Sequence, residues 1–159
     1  MSRRTDGEDR KGTARAYVDG RLFAADGWDG VRVTVRRGSS RPVARLLEST
    51  GQEPLEGRLL GIEEALVMAR EMAARRVLVF CDDEEAASLT AETADVPALL
   101  LAVHLRIRAL MNQFQRAVIA SAGPQQEALG PSALRDFSAA EVRLLGRPRN
   151  LSLFPALQA

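Results

Sequence analysis

Two aspartates in this chain follow apolar segments that could place them at one edge of a sheet. Asp19 ends the alternating segment 14–18, and Asp82 follows the five apolar residues 77–81, a length typical of a strand covered on both faces. Ligands of open α/β sheets bind beyond the carboxyl ends of the strands, and hard divalent cations prefer carboxylate oxygens. These positions therefore indicate a cation site. Asp82 has an alternative role, because it could instead cap a helix that begins at Glu84.

The elements that must position these acids follow one another in a clear order. Periodicity and turn residues predict strands near 14–19, 31–35 and 42–47, a helix over 53–74, a strand over 77–81, a short helix near 84–88, a helix from 97 towards 113–114 that is well buried at 99–103, a strand over 116–121 and a helix over roughly 133–145. This order predicts an α/β fold with a mixed five-stranded sheet flanked by helices. A three-stranded antiparallel meander supplies one part of the sheet, and two parallel strands supply the other.

This topology allows the fourth strand to lie beside the first, which would put Asp19 and Asp82 on neighbouring strands. Glu56, in the first turn of the long helix, could join them. Glu53 lies about one turn earlier and is a rival for the same position. Carboxylates packed this closely repel one another unless cations bind, so such a cluster would draw metal ions.

Composition sets limits on the class of protein. The 159 residues, 46% of them hydrophobic and 27% charged, suit one globular domain, and the net charge of +1 does not by itself indicate nucleic-acid binding. We predict a flexible arm over 1–13, the folded domain over 14–145 and a tail over 146–159. Cys81 is the only cysteine, which excludes a disulfide framework. No apolar run is long enough to span a membrane and the start of the chain lacks a signal peptide, so we expect a cytoplasmic protein with no membrane partner.

Basic residues are concentrated in the meander. Lys11 is the only lysine among the 22 basic residues, and five arginines lie within 32–45: Arg32, Arg36, Arg37, Arg41 and Arg45. A solvated strand face explains this cluster, and contact with phosphates is the alternative.

Several short motifs occur together in an order that matches a known family. They are Tyr17-Val18-Asp19-Gly20 at the end of the first strand, Gly27-Trp28-Asp29-Gly30-Val31 leading into the second, Ser49-Thr50-Gly51-Gln52-Glu53-Pro54-Leu55-Glu56 before the long helix, Phe80-Cys81-Asp82-Asp83-Glu84-Glu85-Ala86 after the fourth strand, and Ile107-Arg108-Ala109-Leu110-Met111-Asn112-Gln113-Phe114 before the fifth. With these motifs the chain resembles ribonuclease H of type 1, whose members cut RNA within RNA–DNA hybrids. The similarity covers roughly residues 14–145.

The resemblance implies a metal-dependent endoribonuclease that hydrolyses the RNA strand of RNA–DNA hybrids with two Mg²⁺ ions, or with Mn²⁺. Two-metal hydrolysis uses ions about 3.5–4 Å apart to activate water and to stabilise the leaving oxygen. On this interpretation Asp19 bridges the ions, Glu56 holds the ion on the leaving-group side, and Asp82 helps to hold the ion that activates water. Gly20, Arg21 and Gln52 would contact the substrate. Trp28 is interpreted as a packing anchor rather than as a base-stacking platform.

The chain departs from the family at other positions. The family's fourth aspartate is matched by Leu129, and the nearest substitute carboxylates are Asp136 and Glu127. His104, the only histidine, lies among leucine and valine in a helix and is interpreted as a packed side chain rather than a catalytic one. Leu129 and Arg21 motivate a second hypothesis, a catalytically weakened module of the same fold that binds nucleic acid or a protein partner. A scaffold or an enzyme of another class is the third hypothesis, because a fold does not determine a function.

Overall fold

The computed structural model describes residues 12–20, 30–91, 96–122 and 141–144. Six strands, three α-helices and one short 3₁₀ helix lie in these ranges: β1 Thr13–Asp19, β2 Gly30–Arg37, β3 Val43–Glu48, α1 Pro54–Glu71, β4 Arg76–Cys81, α2 Glu84–Ala91, the 3₁₀ helix Ala98–Leu100, α3 Leu101–Met111, β5 Arg116–Ser121 and β6 Glu141–Leu144. The arm and tail predicted at the two ends lie outside the described residues, except for Gly12 and Thr13.

The strands form one mixed sheet in the order β5-β4-β1-β2-β3-β6. β2 pairs antiparallel with β1 and with β3, whereas β4 pairs parallel with both β1 and β5. The predicted meander and the two added parallel strands are therefore confirmed, together with the helices that flank them. Val18 pairs with Cys81 in the β1–β4 register, so the end of β1 and the end of β4 lie side by side.

One part of the prediction near the end of the chain is wrong. A helix was predicted over 133–145, but residues 141–144 form β6, which pairs parallel with β3 from Arg45 to Glu48. Without β6, β3 would be an edge strand with unpaired backbone groups, and the pairing satisfies them. The partner strand β3 lies almost 100 residues earlier in the chain. The local periodicity of 133–145 therefore could not indicate that residues 141–144 form a strand. The rest of that predicted helix lies outside the described residues.

Helix α1 packs across the sheet, and the core lies between them. Leu59, Ile62 and Leu66 are buried on it, and on the sheet the alternate residues of β1, β2 and β4 face the helix: Ala14, Ala16, Val18, Val31, Val33, Val35, Val77, Val79 and Cys81. Gly61 permits this close approach, since a Cβ atom at this position would lie 2.7 Å from Val18 Cγ1 and 2.8 Å from Val31 Cγ1. The helix that carries part of the candidate site is thus held against the first strands.

A buried ion pair also ties α1 to β3. The Arg45 guanidinium donates hydrogen bonds to Glu64 at 2.5 Å and to Glu71 at 2.9 Å. Burial opposes the charge of Arg45, but the bonds to both carboxylates more than offset this and raise the pKa of Arg45. One member of the arginine cluster predicted as a solvated face is therefore a structural residue of the interior.

Helix α3 is less buried than its composition predicts. Leu100 and Val103 face the core, but Leu99 is 91% exposed, and Leu101 and Leu105 are exposed as well. The prediction that residues 99–103 are well buried is therefore wrong for two of the three leucine side chains in this range, Leu99 and Leu101, because α3 packs on α1 and α2 along one side only. In the described part of the chain, no helix has both the length and the apolarity that crossing a membrane requires.

Candidate functional site

Asp19 and Asp82 lie next to each other at the carboxyl ends of β1 and β4. The Asp82 amide donates to the Val18 carbonyl at 3.1 Å, which extends the parallel ladder one residue beyond the Val18–Cys81 pair. Asp19, at 3% exposure, is buried. The two strands that the sequence predicts to be neighbours therefore do bring these two residues to one edge of the sheet.

The Asp82 carboxylate binds a guanidinium. Arg58 Nε donates to Asp82 Oδ1 at 3.0 Å, and Arg58 Nη2 donates to Asp82 Oδ2 at 3.1 Å, so the contact is bidentate. The Gly20 amide also donates to Asp82 Oδ1, at 3.1 Å. The side chain of Asp82 is 7% exposed and that of Arg58 is 16% exposed, so solvent screens this ion pair weakly.

Two acids surround the Arg58 guanidinium. A second acid, Asp83, places Oδ2 3.7 Å from Arg58 Nη1. The hydrogen bonds to Asp82 raise the pKa of Arg58 and outweigh the burial that would lower it. Bidentate arginine–carboxylate pairs are among the stronger ionic contacts in proteins. The guanidinium therefore places a positive charge on Asp82, where the sequence predicts a metal ion.

Gly20 makes room for the guanidinium. A Cβ atom on residue 20 would lie 2.5 Å from Arg58 Nε and 2.8 Å from Arg58 Cγ. A side chain at this position would therefore require Arg58 to shift from its present place. Gly20, predicted as a substrate-binding residue, is buried here and uses its amide for Asp82.

Glu56 does not reach these groups. It lies two residues before Arg58 on α1, and two residues correspond to a rotation of about 200° around a helix axis. Since Arg58 points to Asp82, Glu56 projects from nearly the opposite side. No hydrogen bond or ion pair of Glu56 is found within the part of the chain that the structure describes. Glu53, the rival candidate, is exposed at the start of the helix.

Arg58 is the site residue that the sequence reasoning missed, although a signal for it exists. Arg58 lies four residues before the buried Ile62, which puts it about 40° from the direction of Ile62 and on the apolar side of α1. Glu56 lies about 120° from Ile62 by the same count. A basic residue within the apolar stripe of a helix needs a buried partner, and the end of β4 offers one.

The remaining predicted residues are distributed as follows. Gln52 is used within its own turn, where its Oε1 accepts from the Thr50 amide at 2.8 Å and its Nε2 donates to Thr50 Oγ1 at 2.8 Å. Gly51, with φ of 104°, adopts a left-handed conformation that suits glycine. Residues Arg21, Trp28, Glu127, Leu129 and Asp136 lie outside the described residues.

His104 and Cys81 are both buried. His104 lies on α3 as a packed side chain, as predicted. Burial raises the pKa of the Cys81 thiol to about 12, so this side chain is an apolar part of the core rather than a nucleophile.

Comparison with known proteins identifies the architecture. No protein-family model and no curated protein matches the sequence. Among solved structures, ribonuclease H1 from the halophilic archaeon Halobacterium salinarum NRC-1 aligns with a TM-score of 0.60 at 19% identity, over 79% of this chain and 99% of that one. The chain has the ribonuclease H fold.

Two further ribonuclease H structures agree with this result. The N-terminal RNase H domain of rv2228c from Mycobacterium tuberculosis aligns with a TM-score of 0.59 at 16% identity, over 74% of this chain and 92% of that one. LC11-RNase H1, solved in complex with an RNA/DNA hybrid, aligns with a TM-score of 0.56 at 14% identity, over 72% of this chain and 88% of that one. At these identities the likeness establishes the fold, and function must be argued from the site.

The metal ions that the resemblance implies do not fit the described site of this ribonuclease H fold. Among the described residues, no three histidine, cysteine, aspartate or glutamate side chains come together in a way that could hold a metal ion. Asp19 and Asp82 are neighbours, but α1 adds a guanidinium at Asp82 and not a third carboxylate. A cation bound to Asp82 would have to displace Arg58 from both carboxylate oxygens.

Proposed function

We propose that this chain is a nucleic-acid-binding module of the ribonuclease H fold that takes RNA–DNA hybrid without requiring a divalent metal ion. The observation that carries the proposal is the bidentate Arg58–Asp82 pair. It neutralises a carboxylate at the end of β4 that would otherwise repel a phosphate backbone when no metal is bound. The fold supports the nature of the ligand, since LC11-RNase H1 was solved with an RNA/DNA hybrid, and so was a foamy viral protease-reverse transcriptase of which 19% aligns with this chain.

The start of α1 offers the chain a second means of binding phosphate. Thr50 and Gly51 are exposed in the turn before the helix, and no side chain caps the first turn of α1. The amides of Thr50 and Gly51 donate within the turn, to Gln52 and Ser49, so a phosphate would be held by the remaining amides of the first helical turn, beside the acids Glu53 and Glu56. Gln52 holds this turn in shape, so we assign it a positioning role in hybrid binding.

The test is a binding measurement in EDTA. A fluorescein-labelled RNA–DNA hybrid of 18 base pairs is titrated with protein at 50 and 200 mM salt, and duplex DNA and duplex RNA of the same sequence are competitors. We expect binding of the hybrid that weakens by more than tenfold between the two salt concentrations, because phosphate contacts release counterions. Failure to bind the hybrid at 50 mM salt would refute the proposal.

A substitution localises the interface. Gln52→Ala should loosen the turn before α1 and weaken hybrid binding by about fivefold, an order-of-magnitude expectation for the loss of one positioned contact region. Gln113→Ala is the matched control, because Gln113 is an exposed glutamine that binds Arg70 near the start of β5, at the other end of the sheet. Equal effects of the two substitutions would show that the turn before α1 is not part of the interface.

The second candidate function is the metal-dependent endoribonuclease that the sequence predicts. The observation that favours it is the placement of Asp19 beside Asp82 at the ends of parallel strands. It requires Arg58 to leave Asp82 and a further carboxylate, such as Asp136, to join the site. Incubation of the labelled hybrid with 10 mM Mg²⁺ or 1 mM Mn²⁺ separates the candidates, since cleavage of the RNA strand that Asp82→Asn abolishes would establish the enzyme.

A further inference from the structure

We propose that Arg58 is a built-in counter-ion that keeps divalent metal ions out of the site, so that the loss of this one side chain raises the metal affinity of the protein. The inference concerns the free protein and does not depend on hybrid binding. It follows from a disagreement between the fold, whose resemblance implies metal ions, and the described site, which contains a guanidinium instead.

The geometry makes the guanidinium and a metal ion mutually exclusive. Arg58 binds both oxygens of Asp82, at 3.0 and 3.1 Å, and the Gly20 amide adds a third hydrogen bond. A metal ion on Asp82 needs at least one of the same oxygens at about 2.0–2.2 Å. It would also lie within a few ångströms of a full positive charge, which solvent screens weakly at this depth.

The site is also shaped for the guanidinium. The backbone of residue 20 approaches Arg58 so closely that a Cβ atom would lie 2.5 Å from Nε. Asp83 adds a second negative charge 3.7 Å from Nη1. Gly20 and Asp83 therefore both favour a guanidinium in this place, one by leaving space and the other by its charge.

The test measures metal binding directly, by calorimetric titration of the free protein with MnCl₂ and by the signal of unbound Mn²⁺ in electron paramagnetic resonance. The wild-type protein should bind Mn²⁺ only at millimolar concentrations. Arg58→Gln removes the charge while keeping much of the side-chain volume, and it should strengthen Mn²⁺ binding by about tenfold or more, the order expected from deleting a charge within about 4 Å of the ligand oxygens. Arg58→Lys keeps the charge and should resemble the wild type.

Two control variants identify the cause. Arg106→Gln removes an exposed arginine that pairs with Glu63 on α1, and it should leave Mn²⁺ binding unchanged. Asp82→Asn added to Arg58→Gln should abolish the gain. Should Arg58→Gln fail to fold, Gly20→Ala displaces the guanidinium without deleting it and should strengthen Mn²⁺ binding in the same direction.

Three results would overturn the inference. They are tight Mn²⁺ binding by the wild-type protein, an equal affinity in the folded Arg58→Gln and wild-type proteins, and a gain in Arg58→Gln that survives Asp82→Asn. None of these results bears on whether the protein binds hybrid in EDTA, so a failure here is distinguishable from a failure of the proposed function.

Discussion

Replacing Gly20 by alanine should destabilise the protein by breaking the ion pair of Arg58 without removing any charge. The new Cβ atom would lie 2.5 Å from Arg58 Nε, whereas ordinary contacts begin at 3.4 Å, so Nε must retreat by about 0.9 Å (3.4 − 2.5). A shift directed wholly away from Asp82 would lengthen the present 3.0 Å bond to Oδ1 to about 3.9 Å, the upper limit and beyond hydrogen-bonding distance. Gly20 has no positive φ, so alanine adds no backbone strain.

The size of the effect follows from the bond that is lost. Hydrogen bonds to charged groups contribute about 1.5–3 kcal/mol, so we expect the free energy of unfolding to fall by about 2 kcal/mol. In a chain of 159 residues this corresponds to a decrease in Tm of about 4–8 °C. The measurement is urea denaturation followed by circular dichroism, with Gly12→Ala as the matched control because no atom lies within 4 Å of a Cβ built there.

A double-mutant cycle separates the effect on Arg58 from any other effect at residue 20. With Arg58→Ala already present, the obstacle is gone, and Gly20→Ala should then change the free energy of unfolding by less than about 0.5 kcal/mol. If Gly20→Ala costs the same in both backgrounds, the close approach of Arg58 to Gly20 is not what makes glycine necessary, and the reasoning fails.

Three further predictions concern the core around this site. Gly61→Ala should lower the free energy of unfolding by about 1–3 kcal/mol in urea denaturation, because its Cβ atom would lie 2.7 Å from Val18 Cγ1, even though alanine favours helix; a more stable variant would contradict this packing. Arg45→Leu should cost about 3 kcal/mol, because it leaves Glu64 buried without the guanidinium, and the double variant with Glu64→Leu should recover most of that loss in the same measurement; a doubly substituted protein less stable than Arg45→Leu would oppose this. The Cys81 thiol, with a pKa of about 12, stays protonated at pH 8. A thiol reagent should therefore label it at least tenfold more slowly in the folded protein than in urea. Equal labelling rates would show that this thiol is exposed in the folded protein.

Much of the fold could be predicted from the sequence because the strands carry their own signal. The alternation in residues 31–35 and the apolar run 77–81 appear in the structure as β2 and β4, and their pairing with β1 follows from the order of elements. β6 could not be found this way. Its four residues form a strand because they pair with β3, and a pairing partner that lies far away in the chain leaves no local pattern.

The candidate site was predicted in part for a similar reason. Asp19 and Asp82 were placed correctly because both are tied to strand ends, whose relative positions follow from topology. The third predicted carboxylate, Glu56, lies on α1, and its position depends on how this helix is rotated about its own axis. A change of two residues turns a side chain to the opposite side of a helix, so the motif Leu55–Glu56 could not settle which residue faces the sheet.

The Asp19–Gly20 pair shows how a motif can persist while its physical role changes. The family resemblance implies that Asp19 ends the first strand and binds metal ions, and that Gly20 contacts the substrate. In this chain the glycine provides the space in which Arg58 reaches Asp82, and its amide holds the same carboxylate. Glycine is favoured here with or without a metal ion, because a side chain at residue 20 would force Arg58 to shift. The pair is therefore good evidence for the fold and weak evidence for catalysis, because the same glycine serves an arginine contact in this chain.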